Sequence, residues 1–115
     1  MSLDLTTNQA LDLWRQAVVE TVRQDSPDLS ARQMALMLTV YLTDAPHTVR
    51  GLAAALTISK PAVTRGLDRL SDLGLVRRKT DETDRRNVLV QRTDTGSVHL
   101  REFADMVVRL GARVE

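Results

Sequence analysis

Residues 59–74 read SKPAVTRGLDRLSDLG. At 100° per residue, a helix here places Val63, Gly66, Leu67 and Leu70 on one side and Lys60, Pro61, Thr64, Arg65 and Asp68 on the other. One side can be packed while the other is offered to a partner. The offered side carries long cations and a short hydroxyl towards its N-terminal end, which suits phosphate contact at the rim and base-edge contact in the middle. Taken alone, such a helix has an equal claim to being an ordinary solvated face. Its flanks tip the balance.

Immediately upstream, TVRGLAAAL (residues 48–56) repeats an apolar face at Val49, Leu52, Ala53 and Leu56, and only Thr57, Ile58 and Ser59 separate it from the next helix. A short helix, a tight turn and a second helix form the helix-turn-helix layout, in which the second helix enters a DNA major groove. Ser59 is the expected cap of that second helix, and Pro61 is tolerated in a first turn that needs no intrahelical donor. Gly66, on the packed side, is expected to let the preceding helix approach closely. Downstream, Gly74 stops the helix, and a charge-dense centre lies between Val76 and the alternating Val88 and Val90. This predicts a β-hairpin wing whose tip has too few apolar residues to be buried.

The stretch LAAALTISKPAVTRGLDRLSDLGLVRRK followed by DETDRRNVLVQRTDTG resembles the MarR family of bacterial winged helix-turn-helix transcription regulators. The combination of a V-T-R-x-L-D-R-L helix, a G-L-V exit and a D-R-R wing carries the resemblance. It implies five helices with a β-hairpin wing, a dimer paired through its N- and C-terminal helices, and a two-fold symmetric DNA site. Repression is implied more than activation, and so is a cavity for a small effector between the DNA-binding lobe and the dimer helices. It also implies that Arg86 of Asp84-Arg85-Arg86 is directed at the minor groove while Asp84 braces nearby basic groups. Two departures stand out. Family members usually continue their C-terminal helices further, so a smaller dimer interface is expected. Arg92 replaces a commonly apolar residue; alternation puts it beside Val88 and Val90, with its stem over the wing base and its guanidinium reaching outward.

The 115 residues are 43% hydrophobic and 27% charged, as expected of one small globular domain. Within it, residues near 1–26 and 94–115 are the expected dimerisation helices, and those near 30–93 the DNA-binding lobe. No stretch has the apolar length of a membrane span, and MSLDLTTNQ lacks a signal-peptide pattern, so a cytoplasmic protein is expected. Absence of cysteine removes disulfides, thiolate metal sites and cysteine-based sensing. The net charge of +1 hides an asymmetry: residues 59–96 hold nine Lys and Arg against six Asp and Glu, while the remainder holds seven against nine. Positive charge gathers where the reading helix and wing are predicted.

In chain order, a frayed start over residues 1–6 precedes a helix from about Thr7 to Gln24 with a stripe at Leu11, Trp14, Val18 and Val22. Trp14 is expected in the core or at a subunit interface. Ser30 and Gln33 form a predicted capping box for a second helix, over about 31–43, with apolar residues almost all round. Ala45-Pro46-His47 turns the chain, and Thr48 caps the next helix. Thr93 is the predicted cap of a last helix, about 94–113, with Leu100, Phe103, Met106, Val107, Leu110 and Val114 on one side.

Catalysis finds little support. His47 and His99 lie in different elements outside any metal-ligand spacing, and Asp81, Glu82 and Asp84 are interleaved with Lys79, Arg85 and Arg86 as in a charge-balanced wing. No phosphate-cradling glycine loop or nucleophile arrangement is present, and no cofactor is expected. The candidate DNA-contacting residues are Ser59, Lys60, Pro61, Thr64, Arg65, Asp68 and Arg69 on the helix, with Arg78, Lys79, Asp84, Arg85 and Arg86 on the wing. The expected partners are double-stranded DNA, a second copy of the chain and an unidentified small effector. The competing readings are a winged-helix module that docks on protein and a DNA-recruiting subunit of a nucleic-acid-modifying enzyme.

Overall fold

The quoted stretch does form a helix. In a computed structural model, which describes residues 4–114, α4 spans Lys60–Asp72 and buries Ala62, Val63, Gly66, Leu67 and Leu70 on one face. The expected fraying of residues 1–3 lies outside the described residues. The other helices are α1 (Thr7–Arg23), α2 (Ala31–Leu42), α3 (Val49–Leu56) and α5 (Asp94–Gly111), and the strands are β1 (His47–Thr48), β2 (Val76–Thr80) and β3 (Val88–Arg92). Five helices and a small antiparallel sheet make this a winged helix-turn-helix.

Two compact units divide the chain. The unit Leu29–His99 holds the helix-turn-helix and the wing. Its core is built from Leu36, Met37 and Val40 of α2, Leu52 of α3, and Val63, Leu67 and Leu70 of α4, all essentially without solvent exposure. The α2 helix packs against α3, α4 and β3, and its Ser30 cap closes the predicted box with Gln33. A Cβ at Gly66 would stand 2.5 Å from Leu36 Cδ1, so this glycine makes room for α2, and not for α3 as the sequence suggested.

Both helices of the helix-turn-helix end in the same motif. Leu75 N–H donates to Leu70 O and Gly74 N–H to Ser71 O, with Gly74 at φ 74°; Ile58 N–H donates to Ala53 O and Thr57 N–H to Ala54 O, with Thr57 at φ 55°. Two carbonyls are satisfied at each end. Glycine adopts the left-handed conformation freely, whereas a β-branched residue does so at a cost of about 1–2 kcal/mol.

The sheet has three strands in the order β1-β3-β2, one more than the predicted hairpin. His47 pairs with Val90 and Thr48 with Leu89, while β2 pairs along β3 from Val76–Arg92 to Thr80–Val88. The extra strand is two residues long and merges into the Thr48 cap of α3, where Thr48 Oγ1 accepts Gly51 N–H at 2.9 Å. At the wing base, the Tyr41 hydroxyl donates to Leu75 O at 2.6 Å and accepts Thr93 N–H at 2.9 Å. Thr93 Oγ1 in turn donates to Gly74 O at 2.7 Å and accepts Gly96 N–H at 2.9 Å, as its capping role required.

Arg92 corrects the sequence reading. Its guanidinium does not reach outward: Nε donates to Val40 O and Nη2 to Thr43 O, both at 2.9 Å, and the group lies 6.0 Å from the Tyr41 ring centroid. The C-terminal carbonyls of α2 are unpaired acceptors at the negative end of a helix dipole, and no basic residue occupies the last turn of α2 to answer them. Beside this contact, Val40, Ala45, Pro46, His47, Leu89, Val90, Gln91 and Arg92 line a half-open cleft of about 300 Å³.

The second unit comprises the two terminal segments and includes α1 and most of α5. Thr6 caps α1 in a capping box with Gln9, which gives order to a residue expected to fray. The apolar stripe of α1 is not a core face: Leu11, Trp14 and Val22 are each at least 63% exposed, Val18 is 45% exposed, and the buried residue is Ala17. On α5, Met106 is buried and the rest of its predicted stripe is half-buried.

Candidate nucleic-acid interface

Lys60, Pro61, Thr64, Arg65, Asp68 and Arg69 are all exposed on the α4 face opposite the core. Ser59 starts the helix, its Oγ accepting Ala62 N–H at 3.2 Å, and Pro61 sits in the first turn. The positive end of the helix dipole therefore lies beside Lys60, an arrangement that favours an anion.

The wing is tied to this helix by an ion pair. Arg78 Nη1 on β2 lies 2.8 Å from Asp68 Oδ1 on α4. An exposed pair of this kind contributes only about 0–1 kcal/mol, so it links the wing to the helix without holding it firmly. Arg77, on the other face of β2, donates through Nε and Nη2 to Gln91 Oε1 across the ladder. Among the described residues, Lys60, Arg65, Arg69, Lys79 and Arg85 form no ion pair, which leaves five cations free on the helix and wing.

The wing tip is ordered by two carboxylates. Asp81 Oδ1 accepts the backbone N–H of Thr83 at 3.0 Å and its hydroxyl at 2.7 Å, and these bonds hold its carboxyl below the usual range. Asp84 accepts Arg86 three times: the backbone N–H at 3.1 Å, Nε at 3.0 Å and Nη2 at 3.1 Å. That fork lowers the Asp84 pKa and raises that of Arg86. Asp84 thus holds Arg86 at the tip, while its neighbour Arg85 is exposed.

Arg50 is a further cation beside the wing that the sequence does not single out. It lies in the first turn of α3, is exposed, and its charge helps depress the Asp84 carboxyl. TVRGLAAAL draws attention to its apolar face, and nothing in it shows that the wing returns alongside. Elsewhere, His47 Nε2 is 3.1 Å from Thr43 O, and His99 is half-buried on another element. Among the described residues, no group of three metal-ligating side chains forms, and no helix is long and apolar enough to cross a membrane.

Comparison with known proteins places this geometry. The crystal structure of the S. aureus MepR–DNA complex matches with a TM-score of 0.70 over 90% of this chain and 80% of that one; at 19% identity, the likeness is one of fold. A mutant MarR from E. coli matches with a TM-score of 0.69 and 27% identity over 93% of this chain and 75% of that one. In sequence, the HTH-type transcriptional regulator PecS of Dickeya dadantii is 39% identical over 70 residues, 59% of this chain but only 42% of PecS. A family model described as MarR family matches residues 25–87, more than half of the chain and the part that carries α2, the helix-turn-helix and the wing as far as its tip. This chain belongs to the MarR family.

Proposed function

We propose that the protein is a transcription regulator that binds double-stranded DNA in a sequence-specific manner and represses from a palindromic operator as a homodimer. The observation that carries this reading is the single cationic arc formed by the exposed face of α4 and the wing, joined by Asp68–Arg78 and edged by unpaired Lys60, Arg65, Arg69, Lys79 and Arg85. Thr64 and Arg65 project from the middle of α4, where a major-groove helix presents its reading residues; Ser59, Lys60 and Pro61 meet the phosphate rim. Arg86, delivered by Asp84, enters the adjacent minor groove, whose narrow form concentrates negative potential. Arg78, Lys79 and Arg85 supply backbone contacts.

Pairing of residues near 1–26 and 94–115 gives the dimer, with residues near 30–93 as the reading lobe. The exposed stripe of Leu11, Trp14, Val18 and Val22 supports it, because an apolar face of that length on a free monomer calls for a cover. A cytoplasmic protein that responds to a small effector and turns over no substrate completes the reading. The MepR structure with DNA and the CouR structure with p-coumaroyl-CoA, from Rhodococcus jostii, agree with DNA and a small molecule as partners.

The test is selection from a random-sequence duplex library, followed by titration of the winning duplex and of unselected DNA at several salt concentrations. Arg65→Ala should lose about 1–3 kcal/mol on the selected duplex and relax its preference at one base pair. Arg86→Ala should weaken both duplexes and reduce the log-affinity against log-salt slope by about 1. Failure of selection to enrich any sequence, together with salt-insensitive binding, would exclude a DNA reader and favour a protein-docking module.

A further inference from the structure

We infer that Arg92 is a positioning residue for the wing, setting where Arg85 and Arg86 stand relative to α4; this rests on the DNA-binding reading above. Arg92 is the last residue of β3 and contacts no part of the proposed DNA face. Its guanidinium is spent on α2, donating to Val40 O and Thr43 O at 2.9 Å and lying over the Tyr41 ring. The other strand of the wing is tied to the same helix end, since the Tyr41 hydroxyl donates to Leu75 O just before β2. Both legs of the hairpin are thus moored to one rigid point, the C-terminus of α2, whose buried Leu36, Met37 and Val40 fix it in the core.

The lever arm makes that mooring matter. At about 3.3 Å per residue, the five steps from Arg92 through Val88 to Asn87 carry the start of the tip roughly 17 Å beyond Arg92. A swing of about 10° at the base moves the tip by about 3 Å, half the ~6 Å width of a minor groove. The Asp68–Arg78 pair restrains the wing partway along, but it is exposed to solvent and competes with water. Arg92 is itself exposed, but it donates two hydrogen bonds to carbonyls at the C-terminal end of α2, beside His47, and no basic residue lies in the last turn of that helix.

Because the chain has no cysteine, spin labels can be placed at Glu82→Cys on the wing tip and Arg32→Cys on α2 without background, both sites being exposed. Pulsed dipolar distances in Arg92→Met, which keeps the stem and removes the donors, should show a distribution about twice as wide as the parent's. Arg92→Lys, which keeps a cation able to donate to the same carbonyls, should recover part of the narrowing, and it stands in if Arg92→Met fails to fold. On a random-sequence duplex, Arg92→Met should bind about three- to ten-fold more weakly. Combined with Arg86→Ala, it should cost no more than about two-fold beyond Arg86→Ala alone, because the Arg86 contact carries most of what Arg92 positions and Arg85 only the remainder. A parent-like width in Arg92→Met, or losses that multiply in full, would overturn the proposal. A parent protein that does not bind the duplex would instead remove the DNA reading, while the distance measurement still decides the mooring.

Discussion

Gly96→Ala sets two effects of opposite sign against each other. Gly96 lies in the first turn of α5, where alanine is the better helix former by at most about 1 kcal/mol. A Cβ there would overlap both the Tyr41 hydroxyl and the Leu75 carbonyl oxygen. The hydroxyl cannot step aside cheaply, since it is held between Leu75 O at 2.6 Å and Thr93 N–H at 2.9 Å. Overpacking costs about 1–3 kcal/mol and two displaced hydrogen bonds about 0.5–1.5 kcal/mol each. Less the helix gain, a net destabilisation of about 3 kcal/mol is expected, within a range of about 1–5. At this chain length that lowers the melting temperature by roughly 12 °C. Urea unfolding followed by far-ultraviolet circular dichroism measures it, with Tyr41→Phe as the companion background. There the extra cost of Gly96→Ala should fall without vanishing, because the Leu75 carbonyl remains. A Gly96→Ala protein as stable as the parent would refute the close approach of α5 to the wing base.

Leu67→Ala, at a fully buried site on α4, should destabilise by about 2–5 kcal/mol and lose DNA affinity only in proportion to unfolding, as calorimetry and titration of the same sample can show. Thr57→Gly relieves a left-handed β-branched residue at about 1–2 kcal/mol while adding unfolded-chain entropy, so a gain of about 0.5–1 kcal/mol is expected; a loss would mean that the Thr57 side chain stabilises the turn in some other way. Asp81 and Asp84 titrate below their ordinary 3.8, so their ordering of the wing tip is fully present above that pH and lost only as pH falls through the lowered values. NMR titration should therefore show an unchanged Arg86 amide from pH 7 to about 5, and Asp84→Ala should weaken DNA binding despite removing a negative charge.

The two faces of α4 were legible because a helix repeats on a fixed period and the core filled every position that period marked. Caps were legible for the same local reason at Ser30, Ser59 and Thr93. At Thr6 the identical signature, a threonine three residues before Gln9, starts α1 where a fraying end is expected from the sequence. A strand of two residues has no period, which is why His47–Thr48 escaped notice. Arg92 was misread because alternation gives the side of a strand and not what stands there. The carbonyls it meets belong to residues about fifty positions earlier, delivered by packing alone. Likewise, the Asp68–Arg78 pair depends on the turn at Gly74 folding β2 back along α4. In α1, periodicity found the apolar stripe correctly but could not say whether a second surface within the monomer covers it.

Trp14 is the chain's single tryptophan, and it stands 70% exposed among Leu11, Val18 and Val22. Its indole emission is therefore an unlabelled optical gauge of one surface. Red-shifted and readily quenched by iodide while the stripe faces water, it should move to shorter wavelength and become shielded when another apolar face closes over α1. With one tyrosine and one phenylalanine as the only other aromatic residues, no second fluorophore of comparable brightness obscures the signal. A dilution series read at the emission maximum thus reports coverage of this stripe, whatever happens on α4 and the wing.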